Sequence, residues 1–72
     1  MKVITIETEY IRLQDLLKFA CLVSTGGEAK VRIAQGEAAV NGEVCLQRGK
    51  KIRPGDTVRF DGQDLTVRYA DQ

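Results

Sequence analysis

The 72-residue sequence predicts an α+β fold, and three local patterns support this class. Two segments, residues 11–23 and 27–35, carry apolar residues at helical spacing. Short stretches that alternate apolar and polar residues lie on both sides of them, as expected of strands. Asn41-Gly42 and Asp61-Gly62 each separate two such stretches, which is typical of tight β-hairpins. Two helices, an N-terminal strand and two hairpins therefore make up the predicted fold.

Length and composition favour one small domain, residues 1–72, with a single core. Apolar residues make up 43% of the chain, enough for a globular fold. Chains of this length bury only about 60% of their unfolded surface, which leaves little room for a deep catalytic cleft. No apolar run approaches the roughly 20 residues that span a bilayer, and the first residues lack the apolar core of a signal peptide. We therefore expect a cytoplasmic protein that does not enter a membrane.

The first two predicted elements are a strand over residues 2–7 and a helix over residues 11–23. Ile4 and Ile6 would share one face of the strand. The helix presents one apolar stripe, formed by Leu13, Leu16, Leu17, Ala20 and Val23. Lys18 lies off this stripe and is expected to face water, with Arg12 at the entrance of the helix.

The segment before the second helix carries a helix-start signal. Thr25 and Glu28 have the spacing of a capping box, in which the Thr hydroxyl accepts from the Glu28 amide and the Glu28 carboxylate reaches back. Gly26 and Gly27 would then occupy the first turn, and their bare amides could receive a phosphate. Taken alone, the two glycines more often serve a tight turn between helices that needs small residues. Gly36 is the predicted stop of the helix.

The second helix is predicted to bury Ala29 and Ile33, which lie one turn apart. Lys30 and Arg32 are two positions apart and therefore point to different sides of the helix. Because Lys30 follows the two glycines by one turn, it is the better candidate for a shared binding surface.

Positive charge is concentrated in the middle of the chain. Residues 12–53 contain eight Lys or Arg and four acidic residues, a net charge of +4, whereas the flanks contain three and six, a net charge of −3. The densest part is residues 47–53, QRGKKIR, hereafter the basic loop; its cations are Arg48, Lys50, Lys51 and Arg53. Such a run can be a solvated loop, but this segregation of charge also favours a negatively charged partner.

The residues do not indicate catalysis. Histidine, the commonest general base, is absent, and the carboxylates are scattered. Cys21 and Cys45 form neither a Cys-x-x-Cys motif nor a disulfide framework, so we expect two reduced, packed thiols that are not required for function. We expect no metal, no cofactor and no enzymatic activity.

Binding of structured RNA is the function that these features favour. Lys and Arg from two helices and a loop could neutralise phosphates, while the four aromatic residues lie outside the basic loop, which argues against stacking on single strands. Recognition by shape and backbone charge fits folded RNA. The candidate binding residues are Arg12, Lys18, Gly26, Gly27, Lys30, Arg48, Lys50, Lys51 and Arg53. Arg59 and Arg68, on the acidic C-terminal hairpin, are expected to be bystanders.

The order and spacing of four motifs over residues 11–60 resemble a known family. The motifs are Arg12-Leu13-Gln14-x-x-Leu17, Ser24…Ala29-Lys30-x-x-Ile33-x-x-Gly36, Val40-Asn41-Gly42-x-Val44 and Lys51-Ile52-x-Pro54-Gly55-Asp56-x-Val58. They resemble the S-four type RNA-binding domain, and in particular its small stand-alone bacterial members. The resemblance implies an αL-type fold, with two helices packed on a small, mainly antiparallel sheet. It also implies contact with RNA through the entrance of the first helix, the start of the second and the basic loop. We expect a monomer whose partner is ribosomal RNA or tRNA, met free or on the ribosome.

Two departures and two alternatives accompany this resemblance. The family often has Asp where this chain has Gln14, and Arg where it has Gly26, so one expected phosphate contact is missing. Lys18 or Lys30, with the glycine amides, would substitute for it. The segment Val40-Asn41-Gly42-Glu43-Val44 also resembles β-grasp sulfur carriers, but the chain ends Ala70-Asp71-Gln72 rather than Gly-Gly. The alternative that this resemblance implies is therefore a β-grasp-like protein-interaction module without sulfur-carrier chemistry. An adaptor whose basic face meets an acidic protein is the remaining alternative, and salt-dependent RNA binding would distinguish it.

Overall fold

The computed structural model describes residues 1–71, which form two helices packed on a mostly antiparallel sheet. This confirms the predicted fold class. The helices and strands, in chain order, are β1 (Lys2–Ile6), β2 (Ile11–Arg12), α1 (Leu13–Phe19), α2 (Gly26–Ala34), β3 (Ala38–Val40), β4 (Glu43–Val44), β5 (Lys51–Ile52), β6 (Thr57–Phe60) and β7 (Gln63–Tyr69).

The main sheet has five strands in the order β1-β7-β6-β3-β4. Strands β7, β6, β3 and β4 pair antiparallel with their neighbours, while β1 runs parallel to β7, with Lys2 opposite Leu65. Strands β2 and β5 form a separate two-stranded ribbon. This ribbon matters for function because β5 lies inside the basic loop.

The core lies between the helices and one face of the sheet. Along each longer strand alternate residues are buried, so one sheet face is covered and the other is open to solvent. All five residues of the predicted stripe, from Leu13 to Val23, are buried, as are Ala29 and Ile33 of α2. The helical periodicity therefore correctly predicted which side chains enter the core from both helices, although Ala20 and Val23 lie in the segment after α1.

Helix α1 is shorter than predicted, because a left-handed residue ends it at Phe19. Cys21 has φ of 62° and follows the last turn. The Cys21 amide donates to the Lys18 carbonyl (2.9 Å) and the Leu22 amide to the Leu17 carbonyl (3.0 Å). This pair of bonds closes a Schellman motif, normally built on glycine. It also leaves Cys21 exposed, so the expectation that this thiol is packed is wrong.

The start of helix α2 carries the predicted capping box with one change. The Glu28 amide donates to Thr25 Oγ1 (3.1 Å), as predicted, but the Glu28 carboxylate accepts from the amide of Ser24 (2.9 Å), one residue before the cap. The helix ends at Ala34, and Gly36 follows in the left-handed region with φ of 82°, as the stop signal predicts.

Replacing Thr25 with Ala is expected to lower the free energy of unfolding by about 1 kcal/mol, because the Glu28 amide loses its acceptor. Urea denaturation followed by circular dichroism would measure this. Ser24→Ala is the matched control, since only the backbone amide of Ser24 enters the capping box. Equal losses in the two variants would contradict the assignment of the cap to Thr25.

Both predicted hairpin turns are present. Asn41 and Gly42 have φ of 51° and 87°, and Asp61 and Gly62 have φ of 56° and 75°. Positive φ at both central positions is the type I′ geometry, which matches the twist of the flanking strands. These turns fix the register of β3 with β4 and of β6 with β7.

Candidate nucleic-acid interface

The basic loop is bound to the start of helix α1 through its backbone. The Lys50 carbonyl accepts from the Leu13 amide (2.9 Å) and the Arg48 carbonyl from the Gln14 amide (3.0 Å). Arg12, the N-cap residue, makes no side-chain capping bond, so the loop carbonyls perform that role. The loop side chains are thereby left for other contacts.

The β2–β5 ribbon fixes the same junction from the other side. Arg12 lies opposite Lys51, and Ile11 lies opposite Ile52. Ile52 is fully buried, whereas Lys51 is exposed. Because adjacent strand residues point to opposite sides, the buried Ile52 turns its basic neighbours outward. The structure therefore brings the predicted residue Arg12 together with the basic loop.

The cations at this junction have no acidic partner within residues 1–71, and all of them are exposed. They are Arg12, Arg48, Lys50, Lys51 and Arg53. Five unpaired positive charges around one junction create a local excess of positive potential, although the net charge of the chain is only +1.

Tyr10 lies among these cations, a neighbour that the sequence analysis did not identify. Its ring centroid is 4.9 Å from Lys51 Nζ and 5.8 Å from the Arg53 guanidinium carbon. Both distances fall within cation–π range. Tyr10 is 41 positions before Lys51, and only the β2–β5 pairing brings them together, so no local sequence signal could reveal the contact.

The opposite end of helix α1 carries a smaller group of predicted residues. Lys18 is exposed, as predicted, and forms a surface ion pair with Asp15 (3.5 Å). Its Nζ lies 4.0 Å from the position that a Cβ on Gly26 would occupy. The seven residues of α1 separate this group from the basic loop by about 10 Å, at 1.5 Å per residue.

The predicted glycine start of α2 is therefore next to Lys18. Gly26 and Gly27 do form the first turn of α2, as predicted. The Glu28 carboxylate also lies at this helix start, on the amide of Ser24, and its negative charge opposes an incoming phosphate.

Lys30 and Arg32 of helix α2 have different surroundings. Lys30 is exposed and has no ion pair within residues 1–71. Arg32 bonds Glu37 (2.9 Å) and Asp61 (2.7 Å), and its guanidinium lies 4.5 Å from the centroid of the Phe60 ring. The hydrogen bonds to Glu37 and then Asp61 raise the pKa of Arg32 above its ordinary value. Arg32 is thus a cation neutralised within the fold.

The remaining cations lie on the main sheet or near it. Arg59, on β6, forms an exposed ion pair with Asp64 (3.9 Å), and Arg68 is exposed on β7. Lys2 Nζ donates to the Ala20 carbonyl (3.0 Å) just after helix α1. None of these three residues belongs to the two-stranded ribbon that carries Lys51. Arg68 is the nearest of them in the chain fold to the basic loop, because the carbonyl of its neighbour Val67 accepts from the amide of Gly55, two residues after the loop.

A groove with a volume of about 580 Å³ lies between the β3–β4 hairpin and the basic loop. We call it the hairpin groove. It is lined by Val40, Asn41, Glu43, Val44, Cys45 and Leu46 from the hairpin and the segment after it, and by Gln47, Lys50, Lys51, Arg53 and Asp56 from the basic loop and the turn after it. Gly26 and Gly27 do not line this groove.

Neither helix in the described part of the chain is long and apolar enough to cross a membrane. Residues 1–71 also contain no group of three or more His, Cys, Asp or Glu side chains that could hold a metal ion.

Comparison with known proteins identifies the family. The sequence model of the S4 domain matches residues 4–68, nearly the whole chain. The protein belongs to the S4 domain family, as the four motifs predicted. Of the two resemblances, the assignment supports the S-four type domain and not the β-grasp sulfur carriers.

The most informative relatives are small bacterial proteins. The chain is 41% identical over 59 residues to RlbA of Bacillus subtilis, named a probable ribosome maturation protein, covering 82% of this chain and 83% of that one. It is 38% identical over 58 residues to YbcJ of Escherichia coli, with 81% and 83% covered. The solution structure of YbcJ, described as revealing an αL motif involved in RNA binding, superposes with a TM-score of 0.72 at 33% identity and covers 94% of this chain and 87% of that one.

Proposed function

We propose that this protein binds structured RNA in the cytoplasm, without catalysis, and acts as a monomer. The observation that carries the proposal is the set of five exposed cations around the start of helix α1, none of which has an acidic partner within residues 1–71. Each such cation can take a phosphate and release counterions. The resemblance to YbcJ, which is described with an RNA-binding motif, supports RNA as the polyanion.

The proposed binding surface follows helix α1 from end to end. Backbone phosphates would contact the basic loop and Arg12 at its start, then Lys18 and the first turn of α2 at its other end. Exposed lysines and arginines supply affinity and orientation, while the shape of the folded RNA supplies selectivity. The proposed binding residues are Arg12, Lys18, Gly26, Gly27, Lys30, Arg48, Lys50, Lys51 and Arg53.

Ribosomal RNA is the first candidate ligand, because the similar protein RlbA is named for ribosome maturation. Transfer RNA is the second candidate. Crosslinking in cells, followed by sequencing of the bound RNA, would identify the ligand and show whether it is met on the ribosome.

Single substitutions should locate the surface. Lys51→Ala and Lys30→Ala are each expected to weaken binding to a labelled RNA stem-loop and to reduce the slope of log K against log salt by about one. Fluorescence anisotropy over a series of salt concentrations measures both quantities. Binding that is equal at low and high salt, or absent at low salt, would contradict the proposal.

Two other cations serve as matched controls. Arg68→Ala removes an exposed charge from β7, and Arg32→Gln removes the charge that Glu37 and Asp61 neutralise. Neither is expected to change the salt slope. Circular dichroism must show that both variants are folded. If Arg68→Ala then weakened binding as much as Lys51→Ala, the assignment of the binding surface to helix α1 and the basic loop would be wrong.

A further inference from the structure

The hairpin groove is lined by apolar as well as cationic side chains, and phosphate contacts alone do not account for the apolar ones. On the hairpin side, Val44 and Leu46 are 65% and 62% exposed, high values for large apolar side chains. On the loop side stand Lys50, Lys51 and Arg53, all without an acidic partner within residues 1–71. Apolar and cationic side chains that line one groove suit a ligand with one apolar face and one anionic group.

The groove is held open by bonds within the fold. Asn41 Nδ2 donates to Asp56 Oδ1 (3.1 Å), and Asn41 Oδ1 accepts from the amide of Thr57 (2.9 Å). Asp56 Oδ2 accepts from the amide of Arg53 (2.8 Å). These bonds join the hairpin turn to the end of the basic loop. The hairpin and the loop are therefore held in place before any ligand binds. A preformed site binds at a lower ordering cost.

We propose that the hairpin groove receives one unpaired nucleotide of the bound RNA, with its base against Val44 and Leu46 and its phosphate on the basic loop. This inference rests on the proposed function and deepens it. A paired base has both faces covered by stacking and cannot enter, whereas a bulged or looped-out nucleotide can be splayed into a pocket. The volume of about 580 Å³ suits a ligand of nucleotide size.

The distribution of charged residues in the groove favours a nucleotide over an acidic peptide as its ligand. The cations that line the groove all come from the basic loop, whereas Glu43 comes from β4, next to Val44. The other lining carboxylate, Asp56, already accepts hydrogen bonds from Asn41 Nδ2 and the Arg53 amide. A peptide that carried several carboxylates along its length would bring one of them against Glu43. A nucleotide places its charge at one end and an uncharged base at the other, and Glu43 can accept a hydrogen bond from a base amino group.

The test compares three labelled RNA stem-loops: one fully paired, one with a single bulged adenosine, and one with an abasic nucleotide at the bulge. The protein is expected to bind the adenosine bulge about tenfold more tightly than the other two, the worth of burying roughly 55 Å² of apolar surface. The double variant Val44→Thr/Leu46→Ser should lose this preference and keep the salt slope. Val3→Thr is the matched control, an exposed strand valine (53%) outside the groove, and should keep the preference.

Each outcome is decisive. Equal binding of the paired and bulged stem-loops, or a preference that survives in the abasic RNA or in the double variant, overturns the inference but leaves phosphate binding intact. If a polyglutamate peptide of matched charge displaced the bulged RNA, and the double variant weakened binding of the peptide as much as binding of the RNA, the groove would be assigned to an acidic protein. Failure to bind any of the three RNAs at low salt would overturn the proposed function as well.

Discussion

A variant in which Lys50, Lys51 and Arg53 are all replaced by Gln is expected to bind RNA about a hundredfold more weakly at 0.15 M salt. Each phosphate contact contributes a slope of about −0.9, which at this salt concentration is worth about fivefold relative to 1 M salt. Three lost contacts therefore multiply to roughly a hundredfold, and the slope should fall by about three. Anisotropy titrations at four or more salt concentrations give both numbers.

The charge-matched control replaces the three cations outside residues 12–53, which are Lys2, Arg59 and Arg68, with Gln. It changes the net charge by the same amount but leaves the basic loop intact, so its affinity should stay within a few-fold of the parent. Thermal denaturation must show that both triple variants are folded. Similar losses of affinity in the two variants would mean that net charge, rather than the basic loop, sets the binding.

Replacing Ile52 with Ala is expected to lower the free energy of unfolding by roughly 2–4 kcal/mol, the usual cost of a large cavity in a core. Ile52 is fully buried and is the residue through which the basic loop enters the core. A chain of this length has a total stability of only roughly 4–11 kcal/mol, so the loss is a large fraction of it. In urea the midpoint of unfolding should shift strongly, with little change in slope.

Two controls separate burial from local chain effects. Ile52→Val keeps the side-chain shape and should cost only about 1 kcal/mol. Leu46→Ala, just before the basic loop, removes a side chain that is 62% exposed and should cost less than about 0.5 kcal/mol. A result in which Ile52→Ala and Leu46→Ala cost the same would contradict the anchoring of the loop through Ile52.

The parts of the fold that the sequence predicts are those set by local chemistry. Asn41-Gly42 and Asp61-Gly62 predict their turns because few other residue pairs tolerate two successive positive φ values. Thr25 and Glu28 predict the start of α2 because a hydroxyl and a carboxylate at that spacing satisfy free amides.

The parts that sequence analysis misses depend on distant residues or on unusual conformations. Helix α1 ends four residues early because Cys21 takes a left-handed conformation that normally indicates glycine. Strands β2 and β5 are two residues long, too short for any alternation to be seen. Their pairing alone brings Tyr10 to the basic loop, and it shifts the start of α1 from residue 11 to Leu13.

The charges of the candidate site were easier to predict than their pairing. The density of cations in the basic loop indicated an exposed surface, because so many like charges cannot be buried without partners. The neutralisation of Arg32 was only partly visible in the sequence. Glu28, one turn earlier, was a local signal, but Asp61 reaches Arg32 from a hairpin 29 positions away.

The parallel pairing of β1 with β7 has a consequence for the order in which the molecule can form. Within residues 1–71, strand β1 has β7 as its single neighbour in the main sheet, and Lys2 lies opposite Leu65. Strand β1 therefore cannot pair until β7, more than 50 residues later in the chain, has been synthesised. Ordering so long an intervening segment before its contacts form slows folding. The sheet can therefore be completed only after β7 has left the ribosome, and a nascent chain stalled before Gln63 should expose the apolar face of β1 to chaperones.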